Sequence, residues 1–196
     1  MTERERMDAG LWYDANFDDE LARMRLDVKT LAHELNSLGP KETTRHFELL
    51  RRIVGKLGDG CEIITPFMVD YGYNVSIGEG SFINHDSYLM DCAPITIGSH
   101  VFIGPRFGAY TALHPLDAEQ RNSGIECAKP ITICDNCWFG GNVTILPGVT
   151  IGEGCVIGAG SVVTRDVPAH SLAFGSPCRV IRAITDADRI DPEDRP

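Results

Sequence analysis

Between Ile133 and Val163 a large aliphatic or aromatic residue returns at every sixth position: Ile133, Phe139, Ile145, Ile151, Ile157 and Val163. Four places after each stands a small or β-branched residue, namely Cys137, Val143, Val149, Cys155, Ser161 and Val167. A period of six fits neither the 3.6-residue turn of an α-helix nor the two-residue alternation of a half-buried strand. Hexapeptide periods belong to parallel β-helices, where each repeat is one flat strand plus a corner. The pattern therefore predicts a mainly β chain wound as a parallel β-helix. Three hexapeptides close each triangular coil, and coils stack at about 4.8 Å. The 20 glycines suit the many corners this requires.

Upstream, the beat starts near Ile63 and runs through Thr65/Val69, Tyr71/Val75, Ile77/Ser81 and Ile83/Ser87 to Leu89. Two extra residues shift the frame around Cys92–Pro94, and it resumes at Ile97/Val101 and Ile103/Phe107. Between Ala109 and Ile133 the middle does not scan, and His114–Pro130 is polar and flanked by proline. It reads as a loop thrown out of the coil, and long loops of this kind are usually functional. Pro168 stops the repeat, giving five or six coils.

The first 60 residues read instead as a helical module. Leu21, Met24, Val28, Leu31 and Leu35 recur at helical spacing. Asp18, Asp19 and Glu20 suit that helix's positive end, and Gly39-Pro40 stops it. A second helix from Thr43 or Thr44 would turn Phe47, Leu50, Ile53, Val54 and Leu57 inward. The expected organisation is a helical module at 1–60, a β-helix at 61–184 with a loop at about 114–130, and a loose charged tail at 185–196. The module and the residues after Pro168 would cap the ends of the prism, where bare strand edges invite pairing.

A formal net charge of −10 argues against a nucleic-acid surface, and no run of about 18 apolar residues offers a membrane span. The charged start MTERERMDAG lacks a signal-peptide core, and the odd count of 7 cysteines reads as reduced thiols, so a cytoplasmic setting is expected. Cys134-Asp135-Asn136-Cys137 is formally C-x-x-C, yet there is no second pair at metal spacing. Cys134 takes a glycine's place in the repeat and Cys137 an inward small residue's, and no metal is expected.

Among six histidines His114 stands where the six-beat breaks into the loop. Imidazole titrates near neutrality, at about 6.5, which suits a base that deprotonates a hydroxyl. His33, His46, His85, His100 and His170 read as structural or solvent-facing.

The segments ERMDAGLWYDA, YGYN at 71–74, HP at 114–115, RNSG at 121–124, KPITI at 129–133, LPGVTIG at 146–152 and IGAGSVVTRDVP at 157–168 together resemble the maltose, galactoside and nodulation-sugar O-acetyltransferases of the hexapeptide-repeat superfamily. The resemblance spans nearly the whole chain and implies a left-handed coil, an exception to the usual crossover hand. It also implies a homotrimer with sites between neighbouring subunits, acetyl-CoA as donor, a sugar hydroxyl as acceptor, and neither metal nor acyl-enzyme.

Carried over residue by residue, the resemblance makes His114 the catalytic base. Glu126 would stabilise the charged imidazole, although the galactoside-type relatives lack an acid there. Asn84 would hold the oxyanion or the acceptor. Asp14, Asp70 and Asp91 match acceptor-binding positions. Two departures occur: the galactoside enzymes carry serine at the place of Asp70, and a second consecutive aspartate where this chain has Cys92. They tilt the acceptor toward maltose-type or broader sugars. Gly141, Ala159 and Thr164 match contacts to the pantetheine arm, with Trp138 flanking it. Arg165, Arg179 and Arg182 match the cationic end that meets the phosphates, which guanidinium forks suit.

Two other functions fit parts of the pattern. A metal-dependent hydratase of the carbonic anhydrase kind would need about three histidine ligands, and the repeat-region His85, His100 and His114 lack that pattern. A non-catalytic sugar-binding or trimeric scaffold fits the same coil, but has no use for His114, Glu126 and the arginines.

Overall fold

The computed structural model describes residues 1–191 and 193. Three helices come first: α1 (Glu3–Asp8), α2 (Asp19–Asn36) and α3 (Thr43–Ile53). Thr2 and Glu5 form a capping box on α1, and the Asp18 carboxylate takes the Leu21 amide at the start of α2. Leu21, Val28, Ala32 and Leu35 of α2 are buried, with Met24 and Leu31 partly so. In α3 the inner face is Leu49, Leu50 and Ile53, while Phe47 points outward. The helix stops at Ile53, so Leu57, expected on its face, lies in the first strand of the coil.

From Lys56 the chain winds through three parallel sheets. The first holds Lys56–Leu57, Val75–Ile77, Ile95–Ile97, Ile131–Ile133 and Thr150–Ile151. The second begins Glu62–Ile63, Phe82–Ile83, Phe102–Ile103, Trp138–Phe139 and Val156–Ile157, and ends with Ser171–Gly175 and the antiparallel Cys178–Ala183. The third holds Phe67–Val69, Ser87–Met90, Gly108–Tyr110, Thr144–Ile145 and Val162–Val163. Each coil visits them in that order, which is the expected triangular prism.

The six-beat residues meet inside it. Ile133, Phe139, Ile145, Ile151 and Ile157 are fully buried and Val163 is 1% exposed. They join one apolar cluster that also takes in Val28, Leu35, Leu49 and Ile53, so the helical module closes the open end of the first coil. The inward cysteines have a plain use. Cys137 Sγ donates to the Gly152 carbonyl at 3.1 Å and Cys155 Sγ to that of Pro168 at 3.0 Å, satisfying corner carbonyls of the next coil. At the far end Cys178–Ala183 pairs antiparallel with Ser171–Gly175 and covers the edge of the second sheet.

The coil spacing is not uniform. Leu57 pairs with Ile77 and Ile77 with Ile97, steps of 20 residues, whereas Ile133 pairs with Ile151, a step of 18. The extra residues lie at the corner between the third and first sheets, at 70–74 and 91–94. At the same corner one coil higher, Ile97 pairs with Ile133, a step of 36. The excursion there is no bare loop. Ala112–Leu113 and Ile125–Ala128 form an antiparallel hairpin with α4 (Ala118–Asn122) near its tip, and Tyr13–Asp14 of the module adds a third strand. Strands of two to four residues carry too little alternation to be read from sequence. Of the tail expected to be loose, Asp186–Asp188 forms a 3-10 turn; residues 192 and 194–196 lie outside the described ones.

Phe139 is fully buried and packs edge-on against Phe107, ring centroids 5.4 Å apart. Phe139→Ala should lower the unfolding free energy by about 3–5 kcal/mol in urea titrations. A loss under about 1 kcal/mol would contradict a closely packed prism interior.

Candidate active site

The lengthened corner gathers acid groups. Asp91 is fully buried, and its Oδ1 accepts the backbone amides of Asp70 (3.0 Å) and Tyr71 (2.8 Å) while Oδ2 takes that of Asn74 at 3.3 Å. Asp91 therefore builds the 70–74 corner. Both of its oxygens are engaged by backbone amides, and the side chain is closed to solvent within the single chain. Asp70 is nearly closed to solvent: the Tyr88 hydroxyl donates to its Oδ1 at 2.5 Å, and Cys92 Sγ lies 3.8 Å from Oδ2. Burial pushes the Asp91 carboxyl up to about 6, in spite of the amides that favour its charge.

The hairpin places His114 above this corner. Its Nδ1 lies 3.3 Å from the Ile125 carbonyl and its Nε2 3.7 Å from Glu126 Oε2. A carbonyl only accepts, so Nδ1 carries the hydrogen and Nε2 of the neutral ring presents a lone pair. The imidazole is half-exposed, whereas Glu126 is 8% exposed and takes the Tyr13 hydroxyl on Oε1. Burial first, then the neighbouring Cys92 and Glu126, hold the Tyr13 phenol well above its ordinary range, so it stays a donor. Asp14, next along that strand, is half-buried, and its Oδ1 takes the amides of Asn16 and Phe17.

The remaining expected residues sit elsewhere. Asn84 lies at the corner between the second and third sheets, where its Oδ1 accepts the His85 amide at 2.9 Å. Gly141 and Ala159 share that corner further along. A Cβ on the neighbouring Gly140 would come within 2.6 Å of the Ala159 amide, so stacking alone demands glycine there. At Gly141 a Cβ would meet nothing nearer than Pro105 at 3.5 Å, an ordinary contact. Trp138 is 56% exposed on the second sheet. Thr164 and Arg165 return to the lengthened corner, two coils past His114, and both are exposed. Arg179 is exposed and donates to the Cys178 carbonyl; Arg182 forks onto Asp188 at 2.8 and 2.6 Å.

A single chain thus brings His114 to Glu126 beside the lengthened corner but leaves Asn84, Gly141 and Ala159 at a different corner of the prism. The cavity of about 500 Å³ between the α2–α3 connection and the first coil, lined by Pro40, His46, Phe47 and Ile63, contains none of them. Among the described residues no three His, Cys, Asp or Glu side chains gather as a metal site, and no helix is long and apolar enough to cross a membrane.

Residues 6–58 match the profile of the maltose acetyltransferase hexapeptide capping motif, and 130–165 that of six bacterial transferase hexapeptide repeats. A Staphylococcus aureus (strain Mu50) protein, provisionally named an acetyltransferase, is 53% identical over 184 residues, 94% of this chain and 92% of that one. The chain belongs to the hexapeptide-repeat acetyltransferases that carry the maltose acetyltransferase capping motif. Among solved structures, a maltose O-acetyltransferase from Clostridium difficile 630 superposes with a TM-score of 0.92 at 44% identity, covering 95% of this chain and 99% of that one. A galactoside acetyltransferase in complex with coenzyme A gives 0.92 at 38%, covering 96% and 94%. An acetyltransferase of Vibrio cholerae O1 complexed with acetyl coenzyme A gives 0.87 at 39%, covering 95% and 100%.

For this family member, sequence reasoning missed Tyr13, Tyr88 and Asp188. Tyr13 bonds a residue 113 positions away, and no local pattern marks such a pairing. Tyr88 falls on an outward strand position and looks like any surface tyrosine. Asp188 lay in a segment expected to be loose.

The raised Asp91 carboxyl makes the folded chain hold a proton that the unfolded chain has lost between about pH 4 and 6. Its contribution to stability therefore falls as pH rises through that window and levels above it. Asp91→Asn, which cannot titrate, should flatten that slope in urea midpoints read from pH 4 to 7. Identical slopes in both proteins would contradict the buried acid.

Proposed function

We propose that the chain transfers an acetyl group from acetyl-CoA to a hydroxyl of a sugar of the maltose, glucose or galactoside kind, in a site shared between neighbouring copies of a homotrimer. The observation that carries this is a half-exposed imidazole backed by a buried carboxylate at the one corner of the coil that is lengthened in successive turns. The solved relatives named for maltose and galactoside acetylation, one of them holding coenzyme A, supply the substrate classes.

In this reading His114 Nε2 takes the proton of the sugar hydroxyl, and the oxygen attacks the thioester carbonyl. The imidazolium that forms is met by Ile125 O on one side and Glu126 on the other. It then returns the proton to the departing thiolate. The Asn84 amide of the adjacent copy, its Oδ1 already engaged, has its N–H groups free to face the oxyanion. Asp14 and Asp70 flank the acceptor.

The pantetheine arm would run along Gly141 and Ala159 past the exposed Trp138, on the side where a Cβ at Gly141 would meet only Pro105 at 3.5 Å. Arg165 and Arg179 meet the phosphates. Arg182 joins them only by exchanging Asp188 for another anion.

His114→Ala should lower kcat by about 10²–10⁴-fold in a thiol-release assay with acetyl-CoA and a sugar panel, while acetyl-CoA binding by calorimetry persists. Turnover retained within about twofold would remove His114 from the mechanism.

A further inference from the structure

We propose that Tyr13, supplied by the helical module, is a positioning residue for the base: its hydroxyl fixes the Glu126 carboxylate so that Oε2 faces His114. This rests on His114 being the base. The gap of 3.7 Å between Nε2 and Oε2 is too long for a hydrogen bond, so the imidazole does not hold the carboxylate by itself. Something else must set its plane, and the Tyr13 hydroxyl is bonded to the opposite oxygen.

The place of Tyr13 is itself tightly determined. Tyr13 stands opposite Glu126 and Asp14 opposite Ile125 in an antiparallel ladder, and the Ala15 amide extends it to the Gly124 carbonyl at 3.1 Å. Arg25 of α2 then anchors the end of this strand, donating to the Ala15 carbonyl at 2.7 Å and to the Tyr71 hydroxyl at 2.5 Å. Tyr71 stands in the lengthened corner whose amides Asp91 holds. The module is thereby tied to the base through strand, phenol and carboxylate, beyond its role as an end cap. A buried carboxylate oxygen also needs a donor, and tyrosine delivers one from a ring that is 2% exposed.

Phenylalanine at this position keeps the ring and deletes only the donor. Tyr13→Phe should lower kcat about tenfold, the worth of one hydrogen bond to a charged group, with KM for acetyl-CoA and for sugar within twofold of wild type. The decisive readout is the double variant. If Tyr13 acts through Glu126, Tyr13→Phe added to Glu126→Gln should lower kcat less than twofold further. A hydroxyl that acts independently of Glu126 would multiply its full effect onto that of Glu126→Gln, and that result overturns the proposal. So does a Tyr13→Phe enzyme with wild-type kcat. His114→Ala in the same assay separates the two levels. An inactive His114→Ala beside an unaffected Tyr13→Phe sinks this inference alone, and an active His114→Ala sinks the assignment of the base with it.

Discussion

Register between stacked coils is the constraint on which the rest of this molecule depends. Parallel strands at a fixed spacing place residue beside residue, Ile133 on Ile151 and Phe139 on Ile157, so a coil of 18 residues has no backbone to spare for an insertion. Freedom exists only where a corner is allowed to grow. In this chain one corner grows by two residues in successive coils and then by a whole hairpin, while the other two corners keep their count. The sheets stay in register because the insertions lie between strands. A rigid prism thereby presents one adaptable edge, and the half-exposed histidine stands on it.

That edge is electrostatically costly. Asp70, Asp91 and Glu126 are all buried, in a chain already at −10. Each is made tolerable by donors of its own: amides for Asp91, the Tyr88 hydroxyl for Asp70, the Tyr13 hydroxyl for Glu126. Among the described residues no buried side-chain nitrogen or oxygen lacks a partner. The division of labour follows from how completely each acid is satisfied. Asp91 spends both oxygens on amides and is architectural, whereas Glu126 keeps one oxygen turned to the imidazole.

Much of this was legible in the sequence because it is periodic. A core position that recurs every six residues names its own neighbours, so Phe139 and Ile157 were assignable to the interior without coordinates. His114 announced itself by standing where the period fails. Long-range pairing left no such trace: neither Tyr13 nor the third strand it belongs to has a periodic signature. Asp91 shows the same limit, since a match by position tells which corner an aspartate occupies and not which amides its oxygens accept. The CoA-side residues divide likewise. Stacking accounts for Gly140 but not for Gly141, where a Cβ would make only an ordinary contact with Pro105.

The central claim is that a complete site joins His114 of one copy to Asn84 of the next, because one prism carries them at different corners. Mixing chains tests this directly. His114→Ala and Asn84→Ala proteins, each nearly inactive alone, are co-expressed in equal amounts so that trimers assemble at random. About a quarter of neighbouring pairs then unite an intact His114 with an intact Asn84, and turnover should recover to about that share of wild type. Activity no greater than the sum of the two separate variants would contradict a shared site.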